Sequence, residues 1–237
     1  DLPRIILEIR RALSIPYLLF AGKNITITLG AAREYLDSVR FLSNPSSGKM
    51  GLAIADACYE AGAVKIYLIT GEGLTISDRP YTVFPCISTT DYLKAYQSLH
   101  EKTDLAFFCA ALADFTPAKR VENKIKKEGL EQLLVELIPA PDVALWAGEN
   151  RRNGQTLIGF SAEDTNGIEN SKNKLTRKKL DAILYNHVGK SDSGFLSDFN
   201  SIHVIFANGN IVETGRMNKQ ELAVQIIRIL NESLSIM

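Results

Sequence analysis

Short runs of β-branched and aliphatic residues alternate along this chain with longer stretches of helical periodicity. "KNITITLG" (Lys23 to Gly30) reads as a strand stopped by glycine, and "VKIYLIT" as a second. "YTVFPCIS" is a weaker third, because Pro85 interrupts it. "DLAFFCAALAD" opens as a nearly continuous apolar run, the pattern of a strand buried on both faces. "QTLIGFSAED" and "DAILYN" supply two more. Helical stretches lie between them. One runs from Ser47 to Ala61 with a Ser cap and a Gly62 exit. "TTDYLKAYQSLHEK" is capped by Thr89 or Thr90, and "PDVALWAGENRR" has Pro141 at its first position. A lysine-rich helix, "NSKNKLTRKKL", follows. This alternation predicts an α/β fold with a Rossmann-like, doubly wound, mostly parallel sheet. "SIHVIFANGNIVETG" breaks the rhythm and predicts an added β-hairpin turning at Asn208-Gly209. Amphipathic helices are expected at both ends, "DLPRIILEIRRALS" and "KQELAVQIIRILNESL".

Composition bounds the picture without redrawing it. With 237 residues, 46% of them hydrophobic and 23% charged, the chain suits one sizeable soluble domain. A formal net charge of zero supplies no overall field for nucleic acid. No apolar run approaches the ~20 residues that span a bilayer, so neither nucleic acid nor membrane is an expected partner. Cys58, Cys86 and Cys109, with His100, His187 and His203, form no metal-ligand spacing, and reduced thiols suit a cytoplasmic protein. The chain opens at Asp1 without a methionine. Residues 1–21 read as the linker or tail of an upstream unit rather than a signal peptide, leaving 22–237 as the domain.

In sheets of this kind ligands bind beyond the carboxyl ends of the strands. That rule selects Gly30–Glu34, Asn44–Gly51, Ala110–Asp114, Phe160–Glu163 and Asn186. Ser46, Ser47 and Gly48 would offer N–H groups and hydroxyls at a helix N-terminus, a site for phosphate or carboxylate. A plainly capped helix with Lys49 in solvent fits the same residues. Beyond Asp114 come Lys119, Arg120, Lys124, Lys126 and Lys127, five cations in nine residues. They are either a lid closing over a polyphosphate or a solvated basic loop. Lys174 and Lys178 share a helix face at a spacing that costs about 0.2–0.5 kcal/mol unless an anion lies between them. A basic solvent face is the plain alternative. The first strand–helix connection lacks G-x-G-x-x-G, and no G-x-S-x-G elbow occurs. An NAD(P)-dependent oxidoreductase and a non-catalytic nucleotide-binding module remain as alternatives.

The motifs "GAARE", "VRFLSN", "SSGKMG", "AALAD", "KIKK", "PD", "GFSAE" and "NKLTRKKLD" follow one another unbroken between Lys23 and Leu230. Their order resembles phosphopantothenoylcysteine synthetase. In most bacteria that enzyme is the C-terminal half of a bifunctional coenzyme A biosynthesis protein whose N-terminal half is a flavin-dependent decarboxylase. The resemblance implies a homodimeric ligase that joins 4′-phosphopantothenate to cysteine using CTP and Mg²⁺ through an acyl-cytidylate, with the hairpin and its neighbours at the dimer contact. Carried over by residue, Asn44 resembles the group that holds the intermediate and Arg40 its motif partner. Lys124 resembles the flap lysine. Asp114 matches the nucleotide-binding aspartate, with Ala110 and Ala111 approaching through backbone. Phe160 would flank the cytosine, and Lys174 and Lys178 would contact the nucleotide, as would the stretch Ala140, Pro141, Asp142 and Val143. Ser46, Ser47, Gly48 and Met50 would line the phosphate and pantothenate region. The metal ligands are not implied. Two departures stand out. Gly30-Ala31-Ala32-Arg33-Glu34 replaces a family pattern ending T-R-E, and Pro139-Ala140-Pro141-Asp142 replaces K-N-P-D. The second removes a side chain near the cytidine and bears on the choice between CTP and ATP.

Overall fold

A computed structural model of the chain describes residues 2–74, 76, 78–128, 131–187 and 198–235. Its sheet contains six parallel strands: β1 (Asn24–Leu29), β2 (Lys65–Gly71), β3 (Thr82–Cys86), β4 (Leu105–Phe108), β5 (Thr156–Glu163) and β6 (Ala182–His187). Two antiparallel strands extend it, β7 (His203–Phe206) and β8 (Ile211–Glu213). The spatial order is β3-β2-β1-β4-β5-β6-β7-β8. It therefore grows outward in both directions from β1 and β4, as in a doubly wound sheet. The expected hairpin is present, with Asn208-Gly209 at its turn, Gly209 at φ +90°, and Tyr185 opposite His203 across β6 and β7.

Alternate residues of each strand point to opposite faces, and helices cover both. Ile25, Ile27 and Leu29 of β1 face α2 (Lys49–Glu60) and α6 (Lys219–Leu234). Ala106 and Phe108 of β4 face the side occupied by α3 (Thr89–Leu99), α4 (Val143–Glu149) and α5 (Gly167–Arg177). The inner strands are buried on both faces, which is why they read as unbroken apolar runs. The polar residues among them are bonded: Thr26 and Thr103 share a hydroxyl bond of 2.6 Å. The N-terminal helix, α1 (Leu2–Leu13), docks on α2 with Leu7 as its one buried residue. Arg11 donates to the carbonyls of Tyr59 and Ala63, while Ile5, Ile9 and Leu13 face outward. No helix among the described residues is long and apolar enough to cross a membrane.

Three helix starts differ from the sequence expectation. α2 begins at Lys49, and its N-cap is Gly48 in the left-handed region (φ 70°) with no side-chain cap. Asn44–Ser47 thus stay outside the helix as a rim loop. The positive φ at Gly48 favours glycine, and a Cβ there would also sit 2.8 Å from Leu74 Cδ2, the movable end of a side chain. α3 is capped by Ser88, not by Thr89 or Thr90. The Ser88 hydroxyl accepts from Asp91 N, and the Asp91 carboxylate accepts from Ser88 N, a reciprocal pair that the threonines cannot form. α4 starts at Val143, with Asp142 as N-cap accepting from Leu145 N at 3.0 Å, so Pro141 precedes the helix.

The long connection from β1 to α2 holds a small hairpin, Arg33–Tyr35 against Phe41–Ser43. Asp37 at its turn is buried and accepts from Val39 N and Arg40 N, both at 2.7 Å, from the Arg40 guanidinium at 3.0 Å and from Ile125 N at 3.1 Å. Arg40 also donates to Ile125 O, Val121 N donates to Leu36 O, and the Arg120 guanidinium stacks on Tyr35. The basic loop after β4 is therefore strapped to this hairpin. The Arg40 amide, opposed by burial and aided by Val39, Ile125 and the Arg40 charge, lowers the Asp37 carboxyl to about 2.

Two outcomes follow from this packing. A Cβ on Gly51 would lie 2.5 Å from Leu29 Cβ, where α2 crosses β1. Gly51→Ala is expected to cost about 1–3 kcal/mol by urea denaturation, and an unchanged midpoint would mean the helix shifts freely. Asp37→Asn is expected to release the strap, seen as several-fold faster tryptic cleavage within residues 119–127 at neutral pH. In the unsubstituted protein the folded carboxyl titrates below its unfolded value of about 3.9. Its contribution is thus present above that value and lost as pH falls toward about 2. Equal cleavage rates would show that Asp37 does not hold the loop.

Candidate active site

The strand order reverses between β1 and β4, and the connections there leave toward opposite faces. A cavity of about 560 Å³ opens at this point, beyond the carboxyl ends of β1, β4, β5 and β6. The loop after β1 and the first turn of α2 form one rim, where Asn44, Ser46, Ser47, Gly48 and Met50 all line the cavity. Asn44 Nδ2 donates to Leu112 O at 3.0 Å, which ties this rim to the loop after β4. Ala110 and Ala111 make the floor beside it. Their amides bond Thr28 Oγ1 at 3.2 Å and Gly30 O at 2.8 Å, and their methyl side chains leave space above. Asp114 closes that loop and lines the cavity, and its carbonyl accepts from Ala140 N at 2.9 Å.

The facing wall carries Ala140, Pro141, Asp142, Val143 and Phe160, together with Lys174 and Lys178. Asp142 accepts from Lys178 Nζ at 2.9 Å and lies 3.7 Å from Arg177. Lys174 is held by Glu163, which also accepts from Ser161 and Asn170. Burial works to raise the Glu163 carboxyl, but the bonds from Lys174, Ser161 and Asn170 outweigh it and keep it below the usual carboxylate range. α5 ends at Arg177 with Lys178 as its C-cap, whose N–H still bonds Lys174 O, so the two lysines share the side of the helix that faces the cavity. Each has its own carboxylate, which removes the like-charge penalty without a bound anion.

Two expected residues lie elsewhere. Arg40 is committed to Asp37 and Ile125, and Lys124 is exposed on the strapped loop; neither lines the cavity. None of Lys119, Arg120, Lys126 or Lys127 lines it either, so within one chain the basic loop is not a lid over this cavity.

Several lining groups escaped the sequence reading. Lys49 is not simply solvated: it pairs with Asp198 at 2.6 Å. Lys219 enters from the distant last helix, where only its position after the Asn218 cap could have drawn notice. Cys109 lies near it, and burial pushes the Cys109 thiol up to about 12 against the opposing Lys219 charge. A thiol kept protonated in this way is no nucleophile at neutral pH. Among the described residues no cluster of three or more potential metal ligands occurs.

Comparison with known proteins shows the family. Residues 20–234 match the family described as the DNA/pantothenate metabolism flavoprotein C-terminal domain. A curated relative from an unknown prokaryotic organism, a cysteine/cysteine sulfinic acid decarboxylase, is 35% identical over 87% of this chain and 57% of its own length. The coenzyme A biosynthesis bifunctional protein CoaBC of Bacillus subtilis (strain 168) is 35% identical over 87% of this chain and 50% of its own. The chain thus spans about half the length of the curated relatives it matches. A crystal structure of the C-terminal domain of a CoaBC protein superposes with a TM-score of 0.76 at 30% identity, covering 92% of this chain and 99% of that one. The match over residues 20–234, together with the shared fold, makes this chain a member of the DNA/pantothenate metabolism flavoprotein C-terminal domain family.

Proposed function

We propose that this chain is the ligase of coenzyme A biosynthesis that joins 4′-phosphopantothenate to cysteine at the expense of CTP. The observation that carries the reading is the convergence of Asn44, the Ala110–Ala111 floor, Asp114 and the Asp142–Lys178 pair on one cavity at the strand-order reversal. The likeness to CoaBC proteins supports it. As in those bifunctional relatives, a flavin-dependent decarboxylase domain would precede this one, in a cytoplasmic enzyme.

An amine cannot displace oxide from a carboxylate, so the acid must first be activated. Its carboxylate oxygen attacks the α-phosphorus of CTP, the bond to the β-phosphate breaks, and pyrophosphate leaves. The cysteine nitrogen then attacks the acyl carbon, CMP departs, and the amine gives up its proton. This chemistry depends on positioning and on stabilising charge. Lys174 and Lys178, pre-oriented by Glu163 and Asp142, hold the nucleotide beside Phe160. Asn44, anchored to Leu112 O, presents its amide to the intermediate. The small side chains of Ala110 and Ala111 let the substrates approach the backbone. Mg²⁺ carried in with the triphosphate would be held mainly by phosphate oxygens and water, with Asp114 as a cavity carboxylate available to it. When bound it neutralises phosphate charge.

A homodimer accounts for the two displaced residues. The hairpins at Arg33–Ser43 and at Phe115–Pro117 with Leu137–Pro139 expose Phe41, Leu42, Phe115, Leu137 and Ile138. A second copy covering these side chains would carry Arg40 and Lys124 toward its partner's cavity. The contact would then lie on these hairpins.

With phosphopantothenate and Mg²⁺, pyrophosphate release is expected with CTP and not with ATP, and a new amide only when cysteine is added. No release with either nucleotide, or saturable nicotinamide binding, would overturn the reading. Asn44→Asp places a carboxylate against the intermediate's phosphate and is expected to lower turnover roughly 10²-fold with the fold retained by circular dichroism. Full activity would remove Asn44 from the mechanism. Lys124→Gln is expected to leave CTP affinity intact while blocking amide formation in single-turnover assays, and unaltered turnover would make the basic loop irrelevant to catalysis.

A further inference from the structure

An amphipathic helix on a folded domain normally buries its apolar stripe. α1 does the reverse. Leu2, Ile6, Ile9 and Leu13 follow one another at steps of four, three and four residues, and all are exposed, with Ile5 beside them. Ile9 is 53% exposed and Leu13 81%. The orientation is fixed from the other side. Arg11 donates to Tyr59 O at 2.7 Å and to Ala63 O at 2.8 Å, satisfying carbonyls at and just beyond the end of α2. Its guanidinium lies 4.1 Å from the Tyr59 ring centroid. The Tyr59 hydroxyl donates to Glu8 at 2.9 Å, and Arg10 lies 3.7 Å from Glu60. A roll of α1 that buried its isoleucines would break these bonds.

An apolar face held outward in this way is a docking surface. The matched family stretch starts at residue 20, so α1 lies outside it. The Bacillus subtilis relative shares only 50% of its own length with this chain. The solved relative is the C-terminal domain of a CoaBC protein, so in that protein the remaining chain comes before the domain. Area decides between such a preceding domain and a second copy of this chain. A helix of 12 residues is about 18 Å long and 10 Å across, and one face of it buries on the order of 200–400 Å². A stable complex of free partners needs about 800 Å² on each. Separate copies would not stay together on this stripe. A domain tethered directly to the helix meets it at an effective concentration in the millimolar range, and there the same small area is enough.

We infer that the outward face of α1 is the seat of the domain that precedes this one in the same polypeptide, which packs an apolar surface against Ile5, Ile9 and Leu13. The inference rests on the two-domain part of the proposed function and not on the ligase chemistry. α1 is then a rigid joint rather than a loose linker. Its polar side is bonded to α2, its apolar side is covered by the upstream domain, and the two domains are held in one orientation.

Ile9→Cys puts a thiol on that face. Cys58 and Cys86 are buried, so the unsubstituted protein supplies a low baseline for maleimide labelling. The new thiol is expected to react about tenfold or more slowly in the whole polypeptide that the gene encodes than in the 237-residue chain, at rates independent of protein concentration. Equal rates overturn the inference, as does a gene product with no domain before α1. Slow labelling of the 237-residue chain that speeds up on dilution also overturns it and gives the face to a second copy. Protection that appears only with vesicles of equal parts phosphatidylcholine and phosphatidylglycerol overturns it in favour of lipid. Ile5→Lys combined with Ile9→Lys is expected to speed chymotryptic cleavage within residues 13–20 of the whole polypeptide about fivefold or more, and to leave that of the 237-residue chain unchanged. Equal cleavage with and without the pair overturns the inference. A failed ligase assay leaves it standing, and equal labelling rates leave the ligase reading standing.

Discussion

The reversal of strand order between β1 and β4 is the constraint on which the rest depends. Parallel strands require crossovers, and crossovers from neighbouring strands that leave to opposite faces cannot close the gap between them. The gap is held open by backbone geometry rather than by any side chain, so it costs little to maintain. Cys109, Ala110 and Ala111 extend the β1–β4 pairing past its last register pair through amides bonded to Thr28 and Gly30. The floor is therefore rigid backbone with small side chains. The chemistry is delegated to the loops above it.

Charge in the cavity is organised in two ways. On the α4/α5 side each lysine is already matched to a carboxylate, Lys174 with Glu163 and Lys178 with Asp142. Such pairs orient the ammonium groups without a ligand. The α2/α6 side keeps Lys219 buried with Lys49 across from it.

The basic loop shows how one residue redirects a segment. Five cations in nine residues beside a strand end suggest a lid. Asp37, buried at a hairpin turn 88 residues from Ile125, instead draws the loop onto the Arg33–Ser43 hairpin. Glu34 extends this anchoring, accepting from Thr89 N and from the Thr116 hydroxyl. The same hairpins expose aromatic and aliphatic side chains, so strap and candidate dimer contact are one structural unit.

The pattern of apolar positions was sufficient for the sheet: the inner parallel strands were legible because burial on two faces writes itself into nearly unbroken apolar runs, while the exposed edge strand β3, broken by Pro85, left a weaker signal and the closing hairpin was marked by its Asn-Gly turn. The rims were legible too, since strand ends in a doubly wound fold can be located from those runs alone. Helix starts were less so, because a cap is decided by which hydroxyl or carboxylate reaches an N–H. Ser88 and Asp142 reach one, while Ser46 and Ser47 are outcompeted by the left-handed turn at Gly48. What only the tertiary structure decided were the long-range electrostatic partners. Asp37 with Ile125, Lys49 with Asp198, and Lys219 in the cavity wall depend on chain segments far apart in order, and no local periodicity records where a distant charge will fall.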